Sequence, residues 1–197
     1  MTAGPRTRTR DIARAAVRSE LAQVAYDLIR RDGFDQVTVN DLAAAAGVSR
    51  STFLRYFGTK EDAVLGAVEA QGLQLAEALR ARPADEDDWT ALRRSLNTLI
   101  EPYRQDPAEA LATTRLIMGT PALCSRQREK QHSWRPLLVR ALAERTDPPR
   151  PEAVALSVKA AAALECLNIA LDHWIVSDGH VDLVDLLDEA FAALTLP

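Results

Sequence analysis

Residues 38–57 read TVNDLAAAAGVSRSTFLRYF, and the fold follows from this stretch. Thr38, with Asp41 three positions later, has the form of a capping box, so a short helix starts after Thr38 and runs through Ala45. Ala46-Gly47-Val48 interrupts it. Ser49 is suited to cap a second helix that reaches about Tyr56. Ala43 and Ala46 are small enough for two helices to cross closely, Gly47 permits a tight turn, and Val48 covers the core behind it. These are the requirements of a helix-turn-helix, whose second helix presents its first residues to the major groove.

The flanking sequence supplies a helical frame. Upstream, Val17, Leu21, Val24, Ala25, Leu28 and Ile29 recur in steps of three and four, which lays one apolar stripe along a helix. It ends at Arg30-Arg31-Asp32-Gly33, where two cations suit a helix C-terminus and glycine suits the cap. Downstream, Thr59 and Asp62 repeat the capping box and open a longer helix with Val64, Leu65 and Val68 turned inward. Phe53 and Phe57 belong to the core of this head, which spans residues 1–65.

Residues 66–197 read as a second helical domain. Pro83 to Asp88 is a polar break, and Trp89, Leu92, Leu96, Leu99 and Ile100 mark a helix ending near Pro102. Pro107 to Met118 is another, broken by Gly119-Thr120-Pro121, and a long segment follows from Leu123 to Arg145. The prolines of Asp147-Pro148-Pro149-Arg150-Pro151 form a linker that no helix traverses. Val154 to Val176 is apolar on nearly every side, and Val181 to Leu196 is amphipathic. No strand pattern is present, so the expected fold class is all-α.

Composition agrees with this reading. Of 197 residues, 47% are hydrophobic and only 5% aromatic, which favours helices rich in Ala and Leu over strands. The net charge of −4 argues against a protein that coats nucleic acid non-specifically. Its distribution is uneven: residues 1–62 hold ten Lys/Arg against eight Asp/Glu, and the remainder is acidic. A locally basic head on an acidic body is compatible with docking on DNA. Cys124 and Cys166 stand in no metal-ligand spacing, so the expectation is a reduced, cytoplasmic chain with no metal and no cofactor. No apolar run is read as reaching the roughly 20 residues of a membrane span.

Thr38-Val39 with Leu42-Ala43, then Ala46-Gly47-Val48-Ser49, Thr52-Phe53, Tyr56-Phe57 and Thr59-Lys60-Glu61, together resemble the DNA-binding signature of the TetR family over residues 17–65. The resemblance implies that Thr38 and Asn40 approach DNA from the first of the two helices. It implies that Ser49, Tyr56 and Lys60 meet phosphates, and that Arg50, Ser51 and Arg55 face bases, with Thr52 beside them. Hydroxyls, helix-start amides and an ammonium suit phosphate oxygens, and a guanidinium bonds guanine through two hydrogen bonds. The family often has Gly where Ser51 stands and an aromatic where Leu54 stands, so contacts at these two positions do not carry over. Arg6, Arg8 and Arg10 fit a minor-groove arm and an untethered tail equally well.

The stretches around Arg115 to Leu123, Trp134 to Arg145 and the helix reaching Trp174 resemble an actinobacterial subgroup with mycofactocin-type and acyl-CoA-responsive members. The implied function is a sequence-specific transcriptional regulator, a ligand-released repressor that binds operator DNA. Val154 to Val176 and Val181 to Leu196 are the expected homodimer patch, with Ala170 placed on its outward side. A small, largely apolar effector is the expected second partner. Its candidate contacts are Tyr103, Met118, Trp134, Glu165, Asn168 and His173. The aromatics and Met118 fit a plain core better than a pocket, and the polar groups fit pairs across a dimer as well as a ligand anchor. A helical interaction protein without DNA binding is the competing class; an enzyme finds no phosphate loop, nucleophile elbow or metal-ligand spacing here.

Overall fold

A computed structural model describes residues 5–66, 68–145 and 154–194, the side chains of residues 5–11 and of Glu69 excepted. Among the described residues there are eleven α-helices and no strand. The proline linker at 147–151 and the end of the chain at 195–197 lie outside them. The chain forms two compact units, Met1–Ala67 with Thr120–Arg126, and Val68–Gly119 with Gln127–Pro197.

The first unit contains α1 (Pro5–Asp32), α2 (Val39–Ala45), α3 (Arg50–Phe57) and α4 (Lys60–Val64). Leu21, Ala25 and Ile29 of α1 are buried with Phe34, Val37, Leu42, Ala43, Phe53, Phe57 and Ala63. Two features of α1 differ from the periodicity. Val17 is 44% exposed, outside the buried stripe. The helix also begins at Pro5, well ahead of the apolar pattern, because Ala and Arg extend an existing helix at little cost. Arg6, Arg8 and Arg10 therefore lie on helical backbone. At the other end the Gly33 N–H donates to the Ile29 carbonyl at 2.8 Å.

The helix expected after Thr59 is in fact two. α4 stops at Val64, with the Leu65 N–H donating to the Glu61 carbonyl, and α5 (Val68–Arg80) restarts in the second unit. Leu65 is buried at the break.

The second unit continues with α6 (Asp88–Ser95), α7 (Asn97–Gln105), α8 (Pro107–Gly119), α9 (Pro121–Glu144), α10 (Val154–Val176) and α11 (Leu183–Ala192). The first turn of α9 belongs to the other unit. Sequence periodicity merged α6 and α7, yet the chain breaks at Leu96. Pro102 does not end α7, because buried Leu99 and Ile100 hold its turns against the hydrogen bond that proline lacks.

α10 is the central element, packed against α6, α8 and α11. Leu156, Ala160, Ala163, Leu164, Leu167, Ala170, Leu171 and Trp174 fill the core, and Leu183, Leu187 and Phe191 of α11 close it. Ala170, expected on the outside, is thus an inward residue. By length and composition α10 is apolar enough to span a membrane, contrary to the sequence reading, while its inner face packs in the core of the unit. A buried ionic knot ties three segments together. Asp88 accepts from Arg145 at 3.3 Å and from Lys159 at 2.8 Å, while Arg145 also donates to the Pro83 and Glu86 carbonyls. Each charge has partners, the condition under which buried ions are tolerated.

Candidate functional site: the recognition helix and the clefts of the body

The geometry of the first unit comes from its caps. The Thr38 hydroxyl accepts from the Asp41 N–H at 3.3 Å, and Asp41 accepts from the Thr38 N–H at 2.9 Å. Hydrogen bonds, first from the Thr38 hydroxyl and then from its N–H, hold the Asp41 carboxyl below the usual carboxylate range. Gly47, at φ +66°, makes the turn that a Cβ would strain. The Ser49 hydroxyl then accepts from the Thr52 N–H at 3.1 Å, which fixes where α3 begins.

α3 carries its chemistry on one side. Phe53 and Phe57 are buried, their ring centroids 5.1 Å apart. Arg50, Ser51 and Arg55 are exposed, and Thr52, Leu54 and Tyr56 are half-buried. Ser49 and Ser51 share a hydrogen bond of 3.0 Å, and Ser49 donates to Thr52 at 3.0 Å, so three hydroxyls gather at the helix start. Free N–H groups and hydroxyls at such an end suit an anion. Thr38, at the N-cap, and Asn40 of α2 are exposed.

Two residues bear on the sequence-based allocation. The Lys60 ammonium, expected on phosphate, donates to the Phe34 and Val37 carbonyls and lies over the Phe34 ring. Its nearest partners are inside the head. Arg14 was not singled out, yet it lines a groove of about 360 Å³ with Val17, Arg55 and Tyr56. Its signal was hidden because α1 lacks an apolar stripe at that point.

In the body the six candidate ligand contacts do not converge on one cavity. Tyr103 packs edge-on against Trp174, centroids 5.4 Å apart. Burial pushes the Tyr103 phenol up, opposed by a hydrogen bond with Thr114. Met118 is half-buried. Trp134 is 3% exposed and packed on Gly72, and among the described residues its indole N–H has no partner. Glu165 and His173 are exposed and Asn168 is half-buried, with Glu165 and Asn168 lining one groove. An all-round apolar helix offers no periodicity to tell its outer face from its inner one.

A larger cleft was missed. It measures about 550 Å³ between α6, α7 and α11, with Trp89, Ile100, Val184 and Phe191 as apolar lining and Arg93 and Arg104 among its polar groups. Arg93 is tied to Asp188, to Asn97 at 2.8 Å and to the Val184 carbonyl. The positions Trp89, Arg93, Asn97 and Arg104 recur at helical spacing and could have marked this face.

Comparison with known proteins decides the family. Residues 21–66 match the bacterial regulatory proteins of the tetR family, and residues 86–196, more than half of the chain, match the MftR C-terminal domain. The chain belongs to the TetR family. This TetR-family protein is a DNA-binding transcriptional regulator, as the sequence implied. It is 27% identical over 185 residues to a putative mycofactocin biosynthesis transcriptional regulator, MftR, of Mycobacterium tuberculosis, covering 90% of this chain and 89% of that one. It is 29% identical to the transcriptional regulator TcmR of Streptomyces glaucescens, over 72% of this chain and 65% of that protein's length. Among solved structures, the FadR repressor of Thermus thermophilus in complex with lauroyl-CoA shares the fold at a TM-score of 0.61 and 22% identity, covering 90% of this chain and 93% of that one. FadR of Bacillus subtilis with stearoyl-CoA does so at 0.57 and 19%, covering 89% and 96%.

Proposed function

We propose that this regulator is a cytoplasmic homodimeric repressor that holds operator DNA through α3 and releases it when a small, largely apolar molecule occupies the body. One observation carries the DNA assignment: Ser51 and Arg55 stand exposed on the side of α3 away from buried Phe53 and Phe57, and Arg50 is exposed in its first turn. Arg50 and Arg55 face bases, with Ser51 at the helix start, Ser49, Thr52, Tyr56 and Thr38 at phosphates and Asn40 beside them. A single such helix reads too few bases for specificity, so two copies engage half-sites about one helical turn, ~34 Å, apart.

For the effector, the cleft of Trp89, Ile100, Val184 and Phe191 has the size and mixed lining of a small-molecule site. The likeness to acyl-CoA-bound FadR proteins makes fatty acyl thioesters the first compounds to try. The role is regulatory and not catalytic.

The test is binding to DNA upstream of the chain's own gene across a salt series. A footprint of two half-sites, weakening steeply with salt, is the expected result. Equal affinity for upstream and unrelated DNA would overturn operator recognition. Titrating an acyl thioester with and without operator tests release. The two affinities must differ by the same factor as operator affinity with and without ligand, and identical affinities would remove that compound as the effector.

A further inference from the structure

The face of α10 turned away from the core is apolar, except at Glu165 in its centre and Asp172 nearer its end. Val154 is 81% exposed, Val158 58%, Ile169 45% and Val176 85%. Ala161, Ala162, Glu165 and Asp172 fall on the same side, in steps of three and four. A stripe of this length, uncovered in the single chain, is the mark of an interface. Glu165 is the middle residue of the 23 in α10.

Beside Glu165 runs a groove of about 140 Å³, walled by Arg128, Gln131, His132 and Arg135 of α9 and by Glu165 and Asn168 of α10. The protomer leaves this groove unfinished. Among the described residues Arg128 has no carboxylate partner. Arg135 reaches only His132 Nδ1, at 3.1 Å, and its Nε is buried without a partner. Gln131 is 5% exposed, and its Oε1 is buried with nothing to accept from. Glu165 accepts only from Asn168, at 3.3 Å. Buried polar atoms left open cost free energy unless something completes them.

We propose that Glu165 pairs with Arg128 and Arg135 of a second copy of this chain, making the groove between α9 and α10 one half of a self-complementary dimer centre. The inference rests on the homodimer reading and adds what sets its register. A twofold interface brings the same patch to itself, so the patch must carry both signs, and this one does. With the axis near the middle of α10, the two Glu165 carboxylates approach each other. They are tolerated only if each meets the other copy's arginines, because like charges across an interface are strongly unfavourable. Valines and alanines slide past one another with little loss. A central ion pair forbids such slippage, as a single polar residue does in a coiled coil.

The test uses the full chain in sedimentation equilibrium. Wild type is expected as a dimer, and Glu165→Arg is expected to weaken association by about a hundredfold or more. The double variant Arg128→Glu, Arg135→Glu should do the same alone. Mixed in equal amounts the two should restore a dimer containing one of each. Circular dichroism checks that helix content is retained. If a charge reversal fails to fold, Glu165→Gln replaces it, with about tenfold weaker association and a shallower salt dependence expected. Undiminished association of Glu165→Arg or of Glu165→Gln, or a mixture that stays monomeric, overturns the ionic centre while leaving a dimer possible by other contacts. A monomeric wild type overturns the dimer itself.

Discussion

The Lys60 ammonium donates to the carbonyl oxygens of Phe34 and Val37 at 2.8 and 3.3 Å and lies 3.9 Å from the centroid of the Phe34 ring. It thereby caps the loop that enters α2 and covers a buried aromatic. Lys60→Ala is expected to destabilise the protein by about 1–3 kcal/mol, the worth of charged hydrogen bonds plus a cation–π contact. Thermal unfolding measures this. The salt slope of operator binding, taken where the variant is folded, should stay unchanged. A slope shallower by about one ion would return Lys60 to the phosphate contacts.

Arg55 stands exposed at the end of the recognition helix, beside Tyr56 and opposite Arg14. Arg55→Ala is expected to weaken operator binding by about 1–3 kcal/mol and to relax the preference at one position in each half-site. Selection from a randomised operator library reads this directly. Retained preference at every position would remove Arg55 from base readout.

Gly72 of α5 lies against the indole of Trp134, so close that a Cβ would clash with the ring. Trp134 is buried and cannot swing into solvent. Gly72→Ala should therefore cost about 1–3 kcal/mol through overpacking, despite alanine's better helix propensity. Denaturant unfolding that shows a gain in stability would mean that the indole has room to retreat.

Hydrogen bonds from Arg82, and then from Arg94, hold the Glu86 carboxyl at about 2, against an ordinary value of 4.5. A group depressed on folding stabilises the native state above its unfolded pKa, and that contribution disappears as pH falls through the folded one. Stability supplied by Glu86 is thus complete above pH 4.5 and is lost between 4.5 and about 2. Glu86→Gln should lower the melting temperature at neutral pH and flatten its fall on acidification through this window. Parallel curves for the two proteins would show that the pairing adds nothing.

Local chemistry carried much of this protein. The caps at Thr38, Ser49 and Thr59 are interactions within three residues, so the sequence alone placed the starts of α2, α3 and α4 and set Phe53 and Phe57 in the core on the side away from Ser51 and Arg55. The family followed from the same short stretch. What depends on distant partners was not legible. Lys60 and the carbonyls of Phe34 and Val37 are separated by more than twenty residues, and nothing in the spacing announces that they meet. Residues Val154–Val176 were read as one helix, but an apolar helix has no pattern to say which side is inside. Only packing turned Ala170 inward and left Ile169 and Glu165 outside. The cleft of Trp89 and Phe191 joins side chains about a hundred residues apart, because α11 folds back over α6. Sequence determines what short-range hydrogen bonds and periodicity can encode; the choice of faces and of remote partners is made when the helices pack.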